Sequence, residues 1–257
     1  MRFSLEKRDY RSKKMTILVP IVSLLVSFIL GAIVLSISNA NPVRTYAAML
    51  KGAFGSQTKI QYTIVKAIPL LLCGLAVGIA FRLKFWNIGA EGQYISGVIG
   101  ITWVMQFWTF LPTYLLLPVG MVVGILFGAM WGGIPGLLKA QWSVDETLTT
   151  LMMNYIIIGY AEYLYINAWK APRGNMGTIL YPEAAWLPRI WGRVHAGLYI
   201  ALILVVILWF VLYKTRWGFE LNMIGKNQQA ARCQGVSIKR NIILAMLVSG
   251  GIAGLAG

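Results

Sequence analysis

Long apolar runs separated by short polar breaks fill the chain from residue 15 to its last residue. Residues 15–37, 60–81, 94–111, 114–138, 147–169 and 198–213 each approach the roughly 20 residues that a helix needs to cross a bilayer. A seventh run starts at residue 241 and reaches Gly257 without a polar flank, so the chain is expected to be cut within its seventh span. The first run is too long for the apolar core of a signal peptide and is expected to remain as a membrane helix. The pattern predicts an all-α polytopic membrane protein, read as one transmembrane domain over 1–257 because no Pro/Ser-rich linker divides it.

Composition agrees. Of 257 residues, 58% are hydrophobic and 12% charged, where a soluble domain carries about 25% charged. The net charge of +15 could point to nucleic acid, but the placement of the basic residues argues for topology instead. With the N-terminus on the cytoplasmic side, the inner segments hold six between residues 2 and 14, Arg82 and Lys84, Lys139, and six in 214–240. That is 15 of the 23, the bias expected of cytoplasmic loops. Cys73 lies within a span and Cys233 on the inner side, which makes a disulfide improbable.

Three breaks exceed a tight turn. Residues 39–59 and 169–196 face outward; the latter carries "YPEAAWLPRIWGRVH", whose aromatic residues suit the headgroup level as a short interfacial helix. The one histidine, His195, lies there and reads as a solvated side chain. In the fourth run Gly120, Gly124, Gly128, Gly132 and Gly136 form a small-residue ridge. Such a ridge permits close helix packing, either within the subunit or between subunits. Gly74/Gly78 and Gly250/Gly254 repeat the theme, and Pro135 is expected to bend that span.

Polar side chains inside such a bundle are the candidates for mechanism. In "NIGAEGQ" the glycines weaken a continuous helix. Asn87 either caps the next span, with Glu91 in its first turn, or faces a polar cavity with Glu91 and Gln93 at a broken helix. In "SVDETLTTLMMNY", Ser143 and Glu146 have capping-box spacing. Thr147, Thr150 and Asn154 fall at about 0°, −60° and −20° on a helical wheel, a narrow polar strip that avoids lipid. Helix–helix hydrogen bonding and solute contact explain this strip equally well.

The inner stretch "GKNQQAARCQGVSIKR" predicts a helix of about two turns, capped by Asn227 and stopped by Gly235. It is too short to be stable alone and too polar for lipid, so a groove on a partner protein is expected to hold it. No metal-ligand cluster, GxSxG or Walker loop is present, and no cofactor is implied. The eight acidic residues avoid mid-span positions, which disfavours an ion-gradient-driven secondary transporter, the alternative reading.

Three stretches in order, "FWNIGAEGQY", "VDETLTTLMMNYI" and "TRWGFELNMIGKNQQAARCQGVSIKRNIILAMLVSGGIAGLAG", resemble the membrane subunits of bacterial ABC importers. The family is that of the ribose and branched-chain amino acid permeases, and the likeness is greatest to its nucleoside-type, simple-sugar-like branch. It covers roughly residues 60–257, and family members continue with further helices beyond the matching end. The resemblance implies a passive channel in the cytoplasmic membrane, paired with a second permease subunit, identical or different. It also implies a cytoplasmic ABC ATPase and an extracytoplasmic solute-binding lipoprotein. Gly225, Asn227, Ala230, Ala231 and Gly235 match the family's ATPase-coupling segment, here within 214–240, although Gln228 stands where a proline is usual. On this resemblance Asn87, Glu91, Gln93, Thr147, Thr150 and Asn154 are the candidate solute path.

Overall fold

The computed structural model describes residues 13–108, 110–169, 181 and 183–257. The cations between residues 2 and 11, the side chains of Lys13 and Lys14, and Lys170 and Arg173 therefore lie outside the described residues. The chain divides into two compact units, residues 1–60 and 61–257.

In the first unit, α1 (Lys13–Ile37) is followed by α2 (Pro42–Phe54). Asn41 caps α2 by accepting from the Arg44 N–H at 3.1 Å, and Pro42 occupies the first turn, where its missing donor costs nothing. The Tyr46 hydroxyl donates to the Phe28 carbonyl at 2.8 Å and its ring meets Phe28 edge-on, tying α2 to α1.

The second unit holds most of α3 (Gln57–Arg82), then α4 (Ala90–Phe107), α5 (Thr113–Trp142), α6 (Glu146–Tyr163, extended by a π turn over Leu164–Ala168) and α7 (Gly197–Lys214). The short α8 (Arg216–Lys226) and α9 (Gln228–Cys233) precede α10 (Ile238–Ala256). Among the described residues, α1, α3, α5, α7 and α10 are long and apolar enough to cross a membrane. The structure is thus that of an all-α, multi-pass membrane protein. Leu126, Met130, Ile156, Ile203, Val206 and Phe210 are exposed; such a surface would drive aggregation in water and is ordinary against lipid. α4 and α6 carry more polar positions, and three of those in α4 (Gln93, Ser96 and Thr102) are turned inward and buried.

At the centre α5 lies against α10 almost backbone to backbone, with α4 alongside. A Cβ on Gly128 would come within 2.6 Å of the Gly254 Cα, and one on Gly132 within 2.9 Å of the Gly250 Cα. A Cβ on Gly97 of α4 would collide with the Gly254 carbonyl. The glycine ridge therefore packs within the subunit, and its partner is the second small-residue series on α10. Gly74 and Gly78 do not continue the theme, since none of the described residues stands within 4 Å of a Cβ at either position. α5 remains helical through both Pro118 and Pro135.

The outer stretch differs from the expected interfacial helix. Among its described residues, beyond a 3-10 turn at Glu183–Ala185, it forms an antiparallel hairpin of β1 (Arg189–Trp191) and β2 (Val194–His195). Residues 170–180 and 182 lie outside the described residues. Ile190, Trp191 and Val194 are good strand formers, and Gly192 at φ +57° turns the chain between them. Gln61 of α3 is buried beneath this turn and accepts from the Arg193 N–H at 3.3 Å. The Arg193 guanidinium also donates to the Tyr62 hydroxyl. His195 is half-buried rather than solvated. Its Nδ1 accepts from the Gly197 N–H at 3.2 Å, and burial pushes its pKa below the usual histidine value, favouring the neutral ring.

Candidate functional site

Between α3 and α4 the backbone leaves the helical path for seven residues. α3 ends as Lys84 takes a left-handed conformation (φ +56°), and α4 begins at Ala90 after an N-cap at Gly89 that lacks a side-chain bond. Asn87 therefore does not cap α4. Its Oδ1 accepts from the Gly89 N–H at 3.0 Å and from Gln93 Nε2 at 3.2 Å, while its Nδ2 donates to Gln93 Oε1 and to Ser249 Oγ, both at 3.2 Å. The Ser249 hydroxyl in turn donates to the Ala76 carbonyl at 2.7 Å. One amide pair thereby ties the break to α4, α10 and α3.

The polar strip of α6 completes the arrangement. Asn154 accepts from the Gly92 N–H and donates to the Ile88 carbonyl, each at 2.9 Å. Thr150 Oγ1 accepts from the Ile88 N–H at 3.3 Å and donates back into its own helix at the Glu146 carbonyl. A backbone that departs from the helix inside a bundle must find such partners, because water is not there to supply them. Asn87, Gln93, Thr150 and Asn154 are 6% exposed or less. Four of the six candidate path residues are thus brought together, but each satisfies another part of the chain. Thr147 is half-buried, and Glu91 stands exposed in the first turn of α4, where its charge complements the helix dipole.

Ser249 escapes sequence reasoning, since a lone serine in an apolar run carries no pattern. The capping box also needs correction. Ser143 is left-handed (φ +57°) and ends α5, whereas Asp145 caps α6 by accepting from the Leu148 N–H at 2.8 Å. Glu146 instead pairs with Lys139, bridging the α5–α6 turn.

The predicted two-turn helix is present as α9. Asn227 Oδ1 accepts from the Gln229 and Ala230 N–H groups at 2.9 and 3.1 Å, and Gly235 takes φ +78° after its end. The two alanines divide: Ala231 is fully buried in the core, whereas Ala230 is exposed with Gln228, Gln229 and Arg232. Gly225 lies so close to the Arg82 carbonyl that a Cβ there would collide with it, seating α8 against the end of α3. A cleft of about 260 Å3, lined by Lys84, Lys139, Glu146, Gly225, Lys226 and Gln228, separates this element from the α3–α4 break. On the other side of α8, Glu220 accepts from Arg216 Nε and from Asn241 Nδ2, both at 3.1 Å.

Of the described acids, Glu146 and Glu220 are paired, and Glu91, Asp145, Glu162 and Glu183 are exposed. None is a buried, unpaired carboxylate of the kind that couples ion gradients. Groups of three or more His, Cys, Asp or Glu able to hold a metal are absent among the described residues.

Comparison with known proteins places this geometry in context. The chain is 36% identical to the guanosine ABC transporter permease protein NupP of Bacillus subtilis, over 94% of its own length and 70% of that protein's. It is 31% identical to the nucleoside ABC transporter permease protein NupB of Lactococcus lactis, over 96% of its length and 71% of the relative's. It is also 34% identical to the glucose ABC transporter permease protein TsgB13 of Haloferax volcanii, over 93% and 66% of the two chains. No solved structure matches it. Residues 59–257 match the family described as branched-chain amino acid transport system / permease component, and they include the α3–α4 break, the α6 strip and α9. The chain belongs to that permease family.

Proposed function

We propose that this chain is a translocation subunit of a bacterial ABC importer and that its solute is a nucleoside or a related sugar-containing molecule. The subunit lies in the cytoplasmic membrane with its N-terminus inside. A separate cytoplasmic ATPase drives it, a second permease subunit completes the channel, and an extracytoplasmic lipoprotein delivers the solute. The observation that carries the reading is α9: a six-residue helix with one alanine anchored in the core and the next exposed. Ala231 roots the element in the bundle, while Ala230 offers a surface small enough to seat in a partner's groove. Motion of that partner would then pass through Gly225 and the Arg82 carbonyl to α3, and on to the break held by Asn87 and Asn154. The names of the nucleoside-carrying relatives favour a nucleoside over a hexose.

The polar cluster also fits such a solute. Opening the break would free the amides of Asn87, Gln93 and Asn154, with Thr147 and Glu91 beside them, for a neutral molecule rich in hydrogen-bonding groups.

Two measurements test the proposal. Uptake of labelled nucleosides by cells carrying the complete importer is expected to exceed glucose uptake. Ala230→Trp is expected to abolish solute-stimulated ATP hydrolysis while the subunit still inserts, because an indole cannot enter a groove shaped for a methyl group. Full stimulation in that variant would exclude α9 as the coupling element.

A further inference from the structure

The Glu220 side of α8 faces a second cleft, of about 470 Å3, that the transport mechanism leaves unused. Its mouth is formed by Arg216, Glu220, Ser237 and Arg240, and its apolar wall includes Trp217 and Leu244. Arg216 bonds Glu220, yet its side chain is 92% exposed, so most of its guanidinium remains open. Arg240 is exposed and has no hydrogen-bond or ion-pair partner among the described residues. The Ser237 hydroxyl makes no capping bond to α10. Two guanidinium groups against one carboxylate leave the mouth with a surplus of one positive charge.

The position of the cleft in the fold suggests the source of the missing anion. α7 ends at Lys214 and α10 begins at Ile238, and only the short α8 and α9 lie between them. Both spans therefore have these ends at one bilayer face, where α8 and α10 line the cleft. Exposed Trp209 and Tyr213 lie beneath Lys214 and Arg82, the latter 4.5 Å above the Tyr213 ring. Aromatic rings under cations mark the headgroup level of a bilayer. Below the arginines, Leu244 and Val248 are part-exposed and continue an apolar strip along α10 into the span.

We propose that this cleft holds the phosphodiester headgroup of an anionic phospholipid, gripped by Arg216 and Arg240, with an acyl chain lying along Leu244 and Val248. One phosphodiester charge neutralises the surplus, and the arginine fork suits its oxygens. A zwitterionic lipid would bring an ammonium group toward two guanidinium groups. The inference requires only that α7 and α10 span the membrane, whatever the solute or motor.

The test uses the complete importer in nanodiscs of mixed phosphatidylglycerol and phosphatidylcholine, with retained lipid read by native mass spectrometry. Phosphatidylglycerol is expected to be retained preferentially. Arg240→Gln should weaken that retention about tenfold, the order expected for one charge-assisted hydrogen bond, whereas Arg240→Lys should keep most of it. Arg216→Gln with Arg240→Gln should abolish the preference. Equal retention in Arg240→Gln and Arg240→Lys overturns the proposal, as does equal retention of the two lipids. Displacement by millimolar inorganic phosphate would reveal a free-anion site and overturn it, and so would cross-linking of the cleft to an acidic segment of a companion chain.

Discussion

Gly128→Val is expected to break the centre of the bundle. The new side chain would enter a space already occupied by the Gly254 Cα and the Gly250 carbonyl, both backbone. No rotamer change can clear backbone atoms, so α5 and α10 must separate, and the contacts along Gly132 and Gly136 loosen with them. Overpacking costs roughly 1–3 kcal/mol where side chains can yield, and the upper end or beyond is expected here. Thermal unfolding of the purified subunit in detergent provides the measurement. Gly74→Val is the matched control, a glycine in another spanning helix where none of the described residues stands within 4 Å of an added Cβ. Its effect is expected to stay within about 0.5 kcal/mol. Equal loss in the two variants would mean that valine at any membrane glycine is harmful and that the α5–α10 approach has no special role.

The second large effect belongs to Asn154. Asn154→Leu removes the acceptor for the Gly92 N–H and the donor for the Ile88 carbonyl in one substitution. The buried Gly92 N–H left without a partner costs about 1–3 kcal/mol, and the part-buried Ile88 carbonyl adds less. The break between α3 and α4 would then lose its hold on α6, and uptake should fall below detection even where the protein still inserts. Hydrogen exchange at the Gly92 amide is the direct readout, and its protection should drop sharply. Glu91→Gln supplies the contrast. Its side chain is exposed in the first turn of α4, so stability should hardly change while uptake falls if the solute passes there. Unaltered Gly92 protection in Asn154→Leu would refute the latch, and normal uptake in Glu91→Gln would remove that residue from the path.

Much of the architecture could be read along the chain. The spans followed because a bilayer imposes a length of apolar helix that no other structure needs, and the helices begin and end within a few residues of those runs. The caps at Asn227 and Gly235 were equally legible, because an N-cap and a left-handed stop each depend on neighbours two or three residues away. The strip of Thr150 and Asn154 was visible as a strip, since helical periodicity is also local.

What these residues bond could not be read. Whether the strip met another helix or a solute was open on the sequence; the bond that Asn154 makes is to the Gly92 N–H, 62 residues away. Asn87 was expected at a cap or a cavity; it does not cap α4, and its amide meets Ser249, 162 residues on. Ser143 had the spacing of a cap but not the backbone: it is left-handed and ends α5, and Asp145 caps α6. The outer hairpin was missed since its aromatic residues serve a headgroup belt and a strand equally well. Gly74 and Gly78 share the spacing of Gly250 and Gly254, yet among the described residues the latter pair alone lies against another helix. Local chemistry sets where helices start, stop and turn their polar faces, because those terms act within a few residues. Partners at long range depend on which backbones come together, and that was decided here by glycines close enough to let three helices touch.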